Sequence, residues 1–204
     1  ILSDKLKLSI NKYSSQSMST ISDRTEKSTP PPKQATTLKP KVILTDWLSQ
    51  RGYERLPARA VLLEGREWDV DGFLIGPEGG RERNRWTLIE DPFTNEIIRK
   101  GDVETLPCAP HLERISPSYW KTREMVRSEL TTVCQERRHL KISQQSSDGE
   151  IQGSILHWWR IDEGAAELTN SPLLIPGWEV EFPDLGWMLV HGLSGETLNL
   201  PSKN

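Results

Sequence analysis

The sequence predicts an α+β protein: an antiparallel, strand-rich domain with one long central helix and a disordered N-terminal tail. Three observations lead there. Short apolar segments recur between clusters of Gly, Pro, Asn and Asp, the pattern of strands and turns. One segment, 116–138, instead repeats its apolar residues at helical spacing. Residues 1–41 are rich in Ser, Thr and Lys, include Pro30-Pro31-Pro32, and hold 8 Lys/Arg against 3 Asp/Glu, a composition too polar to build a core. The division that follows is a basic tail over 1–41 and a single domain over 42–204.

Order is expected from Val42. Thr45 is placed to N-cap a short helix, Asp46 suits its positive end, and Gly52 supplies a left-handed residue to stop it. Strands over 58–63 and 68–75 flank Glu64-Gly65-Arg66-Glu67, the length of a four-residue hairpin loop. A second pair, 85–90 and 96–99, is joined by Asp91-Pro92-Phe93-Thr94-Asn95, which is dense in turn formers. Between the pairs, 77–84 reads as an exposed loop. Ser116-Pro117 is a helix start, because Ser accepts a bond from an orphaned N–H and Pro at the first helical position has none to satisfy. That helix is expected to reach about Arg138, with Tyr119, Val126, Leu130, Val133 and Cys134 recurring at helical spacing and Arg123, Glu124, Arg127, Glu136 and Arg137 pointing elsewhere. A polar break follows over 144–149. Further strands are expected over 155–161, 178–182, 187–191 and 197–200.

A chain of 204 residues fits one domain of ordinary size plus a tail. Eight Trp and three Phe supply bulky core material, each removing roughly 150 to 250 Å² from water when buried. The formal net charge is −3; the tail carries +5 (8 minus 3), which leaves −8 on 42–204. Such an acidic domain disfavours a general nucleic-acid surface, and only weak contacts from the basic tail are expected. No stretch approaches the roughly 18 apolar residues of a membrane-spanning helix. Two Cys and no Asn-x-Ser/Thr acceptor point to a reducing compartment.

Four residues have the types that suit tetrahedral zinc: Cys108, His111, Cys134 and His139. Cys134 and His139 are five apart, however, and on a helix that leaves them about 140° from a shared face. The ordinary reading is a loop Cys108 and a buried Cys134, so no cofactor is expected and zinc is the alternative. Asp69-x-Asp71 places two carboxylates on one strand face, as a solvated outer face does without any metal. The phosphate-binding, zinc-protease and serine-hydrolase signatures are absent, and nothing in the spacing of Cys108 and His157 selects them as nucleophile and base. The chain is expected not to be an enzyme. Arg81-Glu82-Arg83-Asn84-Arg85-Trp86 interleaves cations with an aromatic ring, but Glu82 dilutes it and Trp86 suits the core. His157-Trp158-Trp159-Arg160 differs, because adjacent Trp side chains on a strand face opposite ways and a one-layer core buries only one of them. Trp158, Trp159 and Arg160 are therefore the candidate protein-binding residues.

The run from Leu56 through Glu64-Gly65-Arg66-Glu67-Trp68-Asp69-Val70-Asp71-Gly72-Phe73 to Pro77, followed by Asp91-Pro92-Phe93, Leu106-Pro107-Cys108-Ala109-Pro110-His111 and Ser116-Pro117-Ser118-Tyr119-Trp120, resembles the Bet/Bel accessory proteins of foamy viruses over about residues 42–145. The resemblance implies a non-enzymatic viral accessory factor of host cytoplasm and nucleus that binds and neutralises APOBEC-type cytidine deaminases, with no residue roles to carry over singly. The alternative is a zinc-binding or nucleic-acid-binding regulatory module of transcription or latency.

Overall fold

A computed structural model describes residues 35–107, 111–146 and 149–200, apart from the side chains of Glu78 and of 141–152. These residues belong to one compact unit, Lys33–Asn204. The chain opens with β1 (Thr36–Thr37), α1 (Leu44–Ser49) and β2 (Ala58–Ile75). A 3-10 turn, Pro77–Gly79, leads into β3 (Arg81–Asp91), β4 (Glu96–Arg99) and β5 (Glu113–Ile115). Then come α2 (Arg123–Val133), β6 (Glu136–Ser146), β7 (Gly149–Ile161), β8 (Glu167–Phe182), β9 (Gly186–His191) and β10 (Thr197–Asn199).

The path β10-β9-β8-β2-β3-β4 forms a mostly antiparallel half-barrel, with β1 parallel to β8 and β5 parallel to β2. Its axis is β2. Over 58–71 this strand pairs with β8, over 66–75 with β3, and at its far end Leu74 and Ile75 pair with Ile161 and Arg160 of β7. Strand side chains alternate between faces, and β2 buries opposite faces at its two ends. Trp68, Val70 and Leu74 pack with Trp86, Leu88 and the α2 residues Val126, Leu130 and Cys134. Val61 and Leu63 point the other way, into a cluster with Leu38, Ile89, Leu173, Ile175 and Leu189. A third cluster seats Trp47 and Leu48 of α1 on Val180, Phe182 and Val190.

The expected α+β fold with one long central helix is not what forms. The two α-helices span 6 and 11 residues, and strands dominate the described residues. Lys121 N–H is taken by Glu90 Oε1 at 2.9 Å and the Trp120 ring by Arg66 at 4.1 Å, which keeps 116–121 out of the helix. Thr122 caps α2 by accepting the Met125 N–H at 3.3 Å. The β-branched run Thr131-Thr132-Val133 weakens the other end, and from Glu136 the chain joins an 11-pair ladder with β7.

Three smaller expectations also change. Gly65 does not turn the chain: β2 runs through it, because a Cβ there would stand 3.0 Å from the Glu90 carbonyl oxygen and 3.0 Å from Ile175 Cδ1. The α1 N-cap is Ile43 rather than Thr45, although Gly52 does adopt φ +81°. Order begins before Val42, since Thr36 and Thr37 pair with Leu173 and Leu174 and Leu38 is fully buried. The β3–β4 turn forms over 92–95, with Asn95 at φ 58° and Asp91 Oδ1 accepting the Phe93 N–H at 3.0 Å.

Candidate interaction surface

Strands β6 and β7 form a ribbon attached to the half-barrel through two β2–β7 pairs. Directly opposed residues of an antiparallel pair share a face, so the register sorts the side chains into two sets. Glu136, Arg138 and Leu140 oppose Trp159, His157 and Ile155 on one face; Arg137 and His139 oppose Trp158 and Leu156 on the other, with Arg160 two residues beyond Trp158.

The face that carries Trp159 is fastened to the domain at its root. The Trp159 ring lies so close to the turn before β3 that a Cβ on Gly76 would fall 2.5 Å from it. Arg138 stacks over the same ring at 4.7 Å and bonds Glu82 at 2.6 Å and Glu136 at 2.8 Å. Its guanidinium holds the Glu82 carboxyl below the ordinary range. Arg99 donates to the carbonyls of Val133 at 2.6 Å and Gln135 at 2.9 Å, tying the end of α2 to β4.

The opposite face is open. Trp158 is 46% exposed and Leu156 39%, with Arg137 stacked 4.9 Å over the Trp158 ring. Among the described residues Arg137 and Arg160 have no carboxylate partner, whereas Arg59, Arg66, Arg81, Arg83, Arg85, Arg99 and Arg138 all do. Further along, Leu140 and Ile155 on the first face are 40% and 50% exposed. The alternation that separates Trp158 from Trp159 is visible in the sequence. Arg137 and His139 as their neighbours are not, because the pairing depends on β6, which the helical reading of 116–138 obscured. The one signal for β6 was the period-2 run Leu140-Lys141-Ile142-Ser143.

Of the four zinc-type residues, the three that are described, His111, Cys134 and His139, form no metal-holding group. Cys134 sits fully buried in the α2 core cluster, and burial pushes its thiol up to about 12. Three extended residues from Glu136 carry His139 about 10 Å onward, onto an exposed face. His111 is exposed and Cys108 lies outside the described residues. No group of three or more His, Cys, Asp or Glu is placed to hold a metal among the described residues. Asp69 and Asp71 do share the outer face of β2, where Asp71 bonds Arg83 and Arg85 at 2.9 Å each and its carboxyl is held down to about 2 by those guanidiniums, Arg83 foremost. Arg81 pairs with Asp162 at 3.5 Å and stacks on Phe73, and Trp86 is buried. The cation-rich start of β3 is thus neutralised within the fold. No helix among the described residues is long and apolar enough to cross a membrane.

Comparison with protein-family models, with curated proteins and with solved structures found no match.

Proposed function

We propose that this chain is a non-enzymatic interaction protein that captures a host protein on the β6–β7 ribbon. The observation that carries the proposal is Trp158: a large ring 46% exposed, stacked under an unpaired Arg137 and beside Leu156, on a ribbon whose other root face is fastened to the domain. Trp and Arg dominate interface hot spots, since both supply large contact area with directional polar groups. Two strands alone are marginally stable in water, so a ribbon with apolar side chains on both faces gains by being covered. The sequence resemblance to foamy virus Bet/Bel accessory proteins supplies the partner class, an APOBEC-type cytidine deaminase held by stoichiometric binding without chemistry.

The test is co-precipitation of a purified APOBEC-type cytidine deaminase by the full chain and by Trp158→Ala. The wild type is expected to retain the deaminase and the variant to lose at least tenfold in affinity, with its melting temperature within a few degrees of wild type. Retention by neither protein rejects the partner class. Equal retention by both rejects the surface.

A further inference from the structure

The ribbon presents more than side chains. Among the described residues β6 pairs with β7 alone, so its outer edge carries backbone N–H and C=O groups that no other strand meets. An open edge is a template for one more strand. The side chains flanking this edge differ between the two faces. On one face stand Arg137 and His139, with Leu156, Trp158 and Arg160 behind them on β7. On the other, past the Arg138 cluster that Glu82 and Glu136 already satisfy, stand the exposed Leu140 and Ile155. A strand laid beside β6 sends successive side chains to alternate faces. Its first set meets Arg137 and Arg160, which have no carboxylate partner among the described residues, and its second set meets Leu140 and Ile155.

We infer that the partner docks as an extended acidic segment, with alternating carboxylate and apolar residues, added as a strand to the free edge of β6. This rests on the ribbon being the docking element. Charge complementarity selects the occupant. Residues 42–204 carry −8 overall (−3 minus the +5 of residues 1–41), so an acidic chain is repelled by most of the surface and attracted where two arginines on one ribbon face, Arg137 and Arg160, have no carboxylate partner among the described residues. A segment with two or three carboxylates matches a patch of that size. A nucleic acid would carry its charge well beyond the patch and meet the acidic body of the domain. Main-chain hydrogen bonds along the edge supply affinity, and the two faces set the sequence pattern.

The experiment measures binding of fluorescently labelled ten-residue peptides to the full chain by anisotropy. One peptide alternates Glu and Val, a second alternates Lys and Val, a third is the Glu-Val peptide with alternate amides N-methylated on its β6-facing edge, and a dT ten-mer is the nucleic-acid probe. The Glu-Val peptide is expected to bind at least tenfold more tightly than the other three, and to lose at least tenfold with Arg137→Glu, a change at an exposed position expected to keep the melting temperature within a few degrees of wild type. Equal binding of the Lys-Val peptide, preference for dT, or indifference to N-methylation overturns the inference. The cytidine deaminase assay separates the two levels. Arg137→Glu capturing normally while Trp158→Ala fails overturns the acidic strand and leaves the ribbon standing; normal capture by both variants overturns the ribbon itself.

Discussion

Trp158 and Trp159 are neighbours of identical chemistry, and the pleat of β7 turns one to solvent and the other onto Gly76. A comparable division of roles occurs at the opposite end of β3, where Asp91 and His191 are both buried. The Ser194 N–H donates to His191 Nδ1 at 3.2 Å, so Nδ1 is the accepting nitrogen and Nε2 carries the proton. Nε2 stands 2.8 Å from Asp91 Oδ2, close but off the line of an ideal hydrogen bond. Together these contacts latch the β9–β10 turn to the end of β3. Burial pushes the Asp91 carboxyl up, but the His191 ring 2.8 Å away and the Phe93 N–H outweigh it and hold the group below its ordinary range. A carboxyl depressed in the folded state stabilises the fold above its unfolded value of about 4, and that stability is lost as pH falls through the folded value. Asp91→Asn is expected to cost roughly 1 to 3 kcal/mol at pH 7, with the gap to wild type closing below about pH 4. Urea unfolding at pH 7, 5 and 3 measures it, and a gap unchanged at pH 3 would contradict the assignment. At this scale the sequence was informative where alternation or burial decides: the opposed Trp pair, the buried Cys134 and Trp86, the outward Asp69 and Asp71. It was silent on Asp91 with His191, which lie a hundred positions apart and meet only through the order of strands β9-β8-β2-β3.

Among the elements, the root of the ribbon is held by two β2–β7 pairs, by Arg138 on Glu82, and by Trp159 packed against the turn that precedes β3. Gly76 has φ −98°, a conformation open to any residue, so its missing Cβ matters for space rather than for backbone freedom. Gly76→Ala is expected to cost about 1 to 3 kcal/mol by forcing the ring away. In a Trp159→Ala background the same change should cost under about 0.5 kcal/mol, since the obstacle is gone and the two residues are coupled through one contact. A denaturant-unfolding double-mutant cycle reads this directly, and additive costs would show that Gly76 and Trp159 do not meet. The elements most legible in the sequence were those whose ends are written locally, such as the Asp91-to-Asn95 turn and the short strands around Trp178 and Trp187. Two kinds escaped. Gly65 mimics a turn residue while serving a close approach of β2 to Glu90 and Ile175. Residues 136–138 follow the helical apolar positions through Cys134 and read as the end of the helix, and the pairing offered by β7, not local preference, draws them into a strand. The early half of β8 escaped as well, because Pro172 and Pro176 argue against a central strand; both lie outside the span that pairs with β9, Gly177–Phe182, so fewer ladder bonds are forfeited.

For the whole molecule, the buried core lies in the half-barrel and the proposed recognition element lies on the ribbon. Three apolar clusters and the Arg–carboxylate pairs stabilise the curved sheet, while the ribbon extends from it with exposed rings, unpaired guanidiniums and an open edge. The overall class was misjudged from the sequence because the expected 116–138 helix is cut at both ends, by Glu90 and Arg66 holding Lys121 and Trp120 and by β7 pairing with the chain from Glu136; separately, β2 buries opposite faces at its two ends, so its apolar pattern breaks near the middle and imitates two strands. The ribbon is the proposed place where a partner binds. Hydrogen–deuterium exchange of the full chain with and without a purified APOBEC-type cytidine deaminase tests it most directly, because strand addition protects edge amides that are otherwise open. Slowed exchange concentrated in β6 and β7, with the β2–β8 ladder unchanged, is the predicted result. Protection elsewhere with β6 and β7 exchanging as in the free chain would contradict it.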